Sequence, residues 1–114
     1  MRRALRQAFE AELKQGYAAM HSADCPRAYH HFERAHVLGQ RWVVPHTRSH
    51  WAFLTWAWQC RDLREMAGQL LRIPAGMLGS ALGWVPLGNT GGARVSAIKS
   101  MPVPEDLKSL LQGR

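Results

Sequence analysis

Glu33, His36, His46 and His50 fall within eighteen consecutive positions of the stretch FERAHVLGQRWVVPHTRSHWAF, Phe32 to Phe53. Three imidazoles and a carboxylate are the nitrogen and oxygen donors that hold a divalent transition metal. Glu33 and His36 are three positions apart, and His46 and His50 four apart, so on helices each pair shares a face. The face of His46 and His50 runs on through Phe53, Leu54 and Ala57 and should therefore turn inward. If the chain folds back near Arg41, Glu33 lies eight residues before the turn and His50 nine after it. At about 1.5 Å per residue these two stand at nearly the same height, as do His36 and His46. An antiparallel pair of helices would bring all four side chains together.

Such donors are costly to bury unless something satisfies their lone pairs. A metal would do so, as Glu-x-x-His on one helix and His-x-x-x-His on another do in helical bundles. A following helix offers Asp62, Glu65 and Gln69 on one face, where Glu65 or Gln69 could add a ligand or fix an imidazole tautomer. A mononuclear His-rich site fits zinc best, with Fe(II) or copper as alternatives. A di-iron centre needs about four carboxylates, more than are placed to help, and Thr47 and Arg48 occupy the gap where a zinc protease carries its base. No catalytic residue beyond the metal ligands is evident. Imidazoles titrating near 6.5 would release the ion below that pH. The competing reading is a buried polar network of His36, His46, His50, Glu33 and Glu65, with His21, His30 and His31 structural in either case.

The elements that must position these residues are helices. Leu5, Phe9, Leu13, Tyr17 and Met20 recur every three or four positions, which predicts a helix from Arg3 to about His21. Asp24 is a natural N-cap with Pro26 in the first turn, and Ala28, Phe32 and Ala35 stripe a second helix closed by Gly39. RWVV reads as a connector, Pro45 opens a third helix to about Cys60, and Asp62 begins a fourth that Pro74 stops at about Ile73. Residues 74–104 read as a Gly/Pro-rich looped tail. Its GNTGG, Gly88 to Gly92, is a tight turn that lets the tail fold back over the helices, and it lacks the Lys-Ser/Thr of a nucleotide loop. Residues 105–112 form a short final helix with acids in its first turn.

GYAAMHSADCPRAYHHFERAHVLG resembles a tetratricopeptide-type helical hairpin, and PHTRSHWAFLTWAWQCRDLREMAGQLLR resembles a second one. The resemblance implies hairpin geometry only, because the offset between the two stretches departs from the repeat. ERAHVLGQ, HTRSH, DLREMAGQ, PLGNTGG and KSMPVPEDL together resemble a small bacterial family, domain of unknown function 3703. That resemblance covers nearly the whole chain and brings no established activity. Its association with heavy-metal-resistance gene neighbourhoods points towards metals.

With 114 residues, 46% of them apolar and 20% charged, the chain is expected to be one soluble domain, residues 1–114. The net charge of +7 rests on Arg residues spread at about one per helical turn, so no specific nucleic-acid partner is expected. No stretch is long and apolar enough for a membrane span, and no export signal is evident, which together imply a cytoplasmic protein. Cys25 and Cys60 match no paired motif and are expected to be free thiols. The fold expected is all-α: two packed antiparallel hairpins under a looped tail. The function expected is binding of a transition metal, in metal handling or resistance. The alternatives are a metal-dependent enzyme with a mononuclear His/carboxylate site, or a helical-repeat module for a protein partner or homodimer. The module would expose an apolar groove lined by Trp42, Trp51 or Trp58.

Overall fold

The computed structural model describes residues 1–113, and among them every regular element is a helix: α1 (Arg3–His21), α2 (Cys25–Gly39), α3 (Val43–Gln59), α4 (Leu63–Ala81) and α5 (Glu105–Leu111). The packing is strongest within the pairs α1/α2 and α3/α4, as two helical hairpins require, and α2 lies against α3 between them.

Local chemistry explains the boundaries. Asp24 caps α2 by accepting a hydrogen bond from the Arg27 amide at 3.2 Å, and Pro26 follows in the first turn, where its missing N–H costs nothing. Asp62 caps α4 in the same way, accepting from the Glu65 amide at 3.0 Å. The apolar stripes of α1, α2 and α3 meet in one core that includes Leu5, Phe9, Phe32, Phe53 and Ala57, with Leu107 of α5 closing its end. Tyr29 lies 5.0 Å from Phe53 and 4.6 Å from Trp56, between ring centroids. The fully buried rings of Phe9, Phe32 and Phe53 each contribute roughly 1.5–3 kcal/mol from apolar burial alone.

The helix boundaries and the state of the cysteines need correction. Helix α4 does not stop at Ile73; it passes through Pro74 to Ala81, adding residues 74–81. Proline removes one helical hydrogen bond, but Leu70 and Pro74 both face solvent, so water can take the carbonyl that loses its partner. The looped tail therefore begins after Ala81. Helix α3 likewise begins at Val43, so the connector from α2 is shorter than RWVV.

The second correction concerns the cysteines, which form the Cys25–Cys60 disulfide. The first residue of α2 and the C-cap of α3 lie side by side with Cα atoms 6.2 Å apart, within bridging range. No helix among the described residues is long and apolar enough to cross a membrane. By loop-closure arithmetic, cross-linking residues 35 apart stabilises the fold by about 3–4 kcal/mol. Adding reductant, or replacing both cysteines with Ser, should lower Tm by roughly 10–20 °C. An unchanged Tm would mean that the bond does not constrain the unfolded chain.

The outer face of α3 and α4 is apolar: Trp51 is 59% exposed and Trp58 75% exposed, with Leu63 and Leu70 beside them. Trp42, by contrast, packs against the core.

Candidate metal centre

His36 comes from the last turn of α2, and His46 and His50 from the first half of α3. All three are buried, at 3%, 5% and 4% exposure. Their Nε2 atoms converge: His36 to His46 is 3.0 Å, His46 to His50 is 3.0 Å, and His36 to His50 is 3.2 Å.

The opposite ring nitrogens fix what those Nε2 atoms can do. His36 Nδ1 is 2.7 Å from the backbone carbonyl of Asn89, a group that can only accept, so Nδ1 carries the proton. His50 Nδ1 is 2.6 Å from Gln69 Oε1. The Gln69 amide nitrogen donates to Glu65 Oε2 at 3.0 Å and to the Gly91 carbonyl at 2.9 Å, which identifies Oε1 as the acceptor. His46 Nδ1 is 2.5 Å from Ser80 Oγ, whose own proton goes to the Gln40 carbonyl at 2.7 Å. All three Nδ1 atoms are therefore donors, and in neutral rings all three Nε2 atoms present lone pairs.

Three lone pairs about 3 Å apart repel one another. The contacts between Nε2 atoms are not hydrogen bonds, because no proton remains to share. Protonation is opposed too. Burial, reinforced by the neighbouring imidazoles, pushes His36 well below the ordinary imidazole range. Burial brings His46 down to about 4, and burial with the His46 charge brings His50 down to about 3. A divalent cation at their centre would relieve this repulsion. Imidazole nitrogens bound at about 2.0–2.1 Å to one tetrahedral ion stand roughly 3.3 Å apart, close to the observed 3.0–3.2 Å.

Glu33 is not brought into this group; among the described residues the convergent donors are His36, His46 and His50. Three residues of helix rotate Glu33 about 60° from His36, and it sits half-buried near Thr90 and Glu65, where burial raises its pKa. Glu65 is fully buried and works on the loop and on Gln69: it accepts from the Tyr29 hydroxyl, from Gln69, and from the Ala93 amide at 2.6 Å. Gln69 touches His50 directly. Asp62 caps α4 and pairs with Arg94 at 2.8 Å, away from the imidazoles. His31 pairs with Glu12 at 2.7 Å, His30 packs beside it, and His21 ends α1.

Three positioning groups, Asn89, Ser80 and Gly91, are absent from the sequence-based set. Asn89 and Gly91 belong to GNTGG, which folds onto the site. The Asn89 side chain donates to the carbonyls of Ser96 and Lys99, both at 2.7 Å, and accepts from the Gly91 amide at 2.9 Å. Gly91 has φ +85°, and a Cβ there would stand 2.4 Å from the His36 ring, so only glycine lets the loop close over the imidazole. Ser80 lies beyond Pro74, in the part of α4 that the proline was expected to exclude.

No curated protein and no solved structure matches the chain. Residues 3–111 match the family model described as a protein of unknown function (DUF3703), and the chain belongs to that family.

Proposed function

We propose that this protein binds one divalent transition-metal ion, zinc in the first instance, through Nε2 of His36, His46 and His50. The observation that carries this reading is the anchoring of all three Nδ1 atoms to acceptors, which leaves three convergent lone pairs. Glu33, expected as a fourth ligand, has no part in it. Gln69, Ser80 and the Asn89 carbonyl hold the imidazoles in place, the arrangement by which outer partners orient metal-ligating histidines.

Nitrogen donors without thiolates suit zinc, with Fe(II) and copper as the other candidates. Ligands this buried and this firmly held favour retaining an ion over passing it on, so within metal handling or resistance the role is one in which the ion stays bound. A cavity of about 120 Å³ against the three imidazoles favours a second reading, chemistry at the metal.

The test is metal analysis of untagged protein by mass spectrometry, followed by zinc addition to chelator-stripped protein. About one equivalent of metal per chain is expected. Zinc at 100 times its Kd should stabilise the fold by about 2.7 kcal/mol. No metal retained, and no shift in melting with zinc, Fe(II) or copper, would refute the reading.

A further inference from the structure

Three protein donors leave at least one position of a four-coordinate ion to be filled from outside the chain. The cavity beside the imidazoles determines from where. It is lined by His36, His46 and His50 on one side, and by Ala75, Pro86 and Ile98 among others on the rest. The wall of α4 nearest the rings is Gly76. A Cβ there would stand 3.0 Å from His46 Cε1, 3.2 Å from His46 Nε2 and 3.2 Å from His50 Cδ2. A larger residue would cover the ring edges, so glycine at 76 keeps that side of the cluster clear.

The charge around the cavity is biased. Arg72 lines it and is half-buried. Its guanidinium donates to the carbonyls of Gly91, Gly92 and Val95, at 2.7 Å for Val95. These partners hold Arg72 without neutralising it, and among the described residues it forms no ion pair with a carboxylate. Its positive charge is felt at both His36 and His50, while Glu65 is the carboxylate that acts on Arg72 itself. A divalent ion on three neutral imidazoles, with Arg72 alongside, outweighs one nearby carboxylate and leaves the pocket net positive.

We infer that the fourth ligand of the bound metal is an exchangeable small carboxylate taken from solution into the cavity lined by Gly76 and Arg72. One carboxylate oxygen completes the coordination, and the negative charge offsets the excess beside Arg72. The ligand's short apolar tail meets Ala75, Pro86 and Ile98. The pocket against the imidazoles is small, about 120 Å³, and open on one side, which favours formate, acetate or propionate over the bulkier benzoate and pivalate. This inference rests on the metal-binding reading, and the experiment separates the two.

Cobalt(II) is loaded into the full chain in place of zinc, its stoichiometry is measured, and its visible d–d bands are followed while formate, acetate, propionate, pivalate or benzoate is added. The expected result is one cobalt per chain and a saturable spectral change with the three small acids. Pivalate and benzoate should bind at least tenfold more weakly. Arg72→Met, which removes the positive charge beside the cavity and no metal ligand, should keep one cobalt per chain and weaken the response to acetate at least tenfold. The comparison of acids on the wild type stands even if that variant fails to fold. One bound cobalt with bands insensitive to acetate, or equally sensitive to benzoate, would overturn the inference and leave the metal site standing. No bound cobalt would overturn both.

Discussion

Replacing any one of His36, His46 or His50 with Ala is expected to weaken zinc binding by about 100- to 1,000-fold, while His30→Ala leaves it unchanged. Structural zinc sites are worth about 10–16 kcal/mol over their full ligand set, so each donor carries some 3–4 kcal/mol. Removing a positioning partner should cost less: Gln69→Leu leaves three donors but releases the His50 ring, a change worth about 10- to 100-fold. The competing account, a buried polar network, makes a different forecast. There the same substitutions would destabilise the protein equally with and without zinc, by leaving Asn89, Ser80 or Gln69 unsatisfied. Competition titration against a chelator, paired with melting curves in both states, distinguishes the two. Equal loss of stability in both states, with zinc affinity unmoved, would favour the network.

Acid should destabilise the metal-free protein steeply. His36, His46 and His50 have pKa values in the fold far below 6.5, because burial disfavours the imidazolium. In the unfolded chain the same residues take up protons near pH 6.5. Below that pH the unfolded state binds more protons than the folded one, so stability falls as pH falls. Each histidine contributes up to about 1.4 kcal/mol per pH unit. Between pH 6.5 and pH 5 the three together remove roughly 4–6 kcal/mol, a large part of the 5–15 kcal/mol typical of a domain. The loss continues until the folded values, about 4 for His46 and about 3 for His50, are reached. Urea denaturation of stripped protein at pH 7, 6 and 5 measures it. Saturating zinc should hold the folded state down to lower pH, since a bound ion keeps the rings neutral. Metal-free stability that stays flat from pH 6.5 to pH 5 would contradict the burial that this site depends on.

Much of this architecture was legible in the sequence because its signals are local. The stripe of Leu5, Phe9 and Leu13, the caps Asp24 and Asp62, and Gly39 at the end of α2 each act within a few residues of where they sit. The His46–His50 pair could be read for the same reason, from i,i+4 spacing on an apolar face. What spacing could not supply was direction across two helices: Glu33 is turned about 60° from His36 and lies near Thr90 and Glu65 instead. Pro74 misled because a proline rule weighs one lost hydrogen bond, and an exposed position makes that loss tolerable. That error hid Gly76 and Ser80, both of which touch the imidazoles. GNTGG announced a turn, but only the fold shows that the turn carries the Asn89 carbonyl to His36. The disulfide was missed because Cys25 and Cys60 become neighbours only when α2 and α3 pack.

The central claim, one ion held by three imidazoles, is tested most directly by anomalous diffraction at the zinc edge from crystals grown with one equivalent of zinc. The account predicts a single peak about 2.0–2.1 Å from Nε2 of His36, His46 and His50. It predicts no peak of comparable height at His21, His30 or His31. A zinc peak at those histidines instead, or none between α2 and α3, would contradict it.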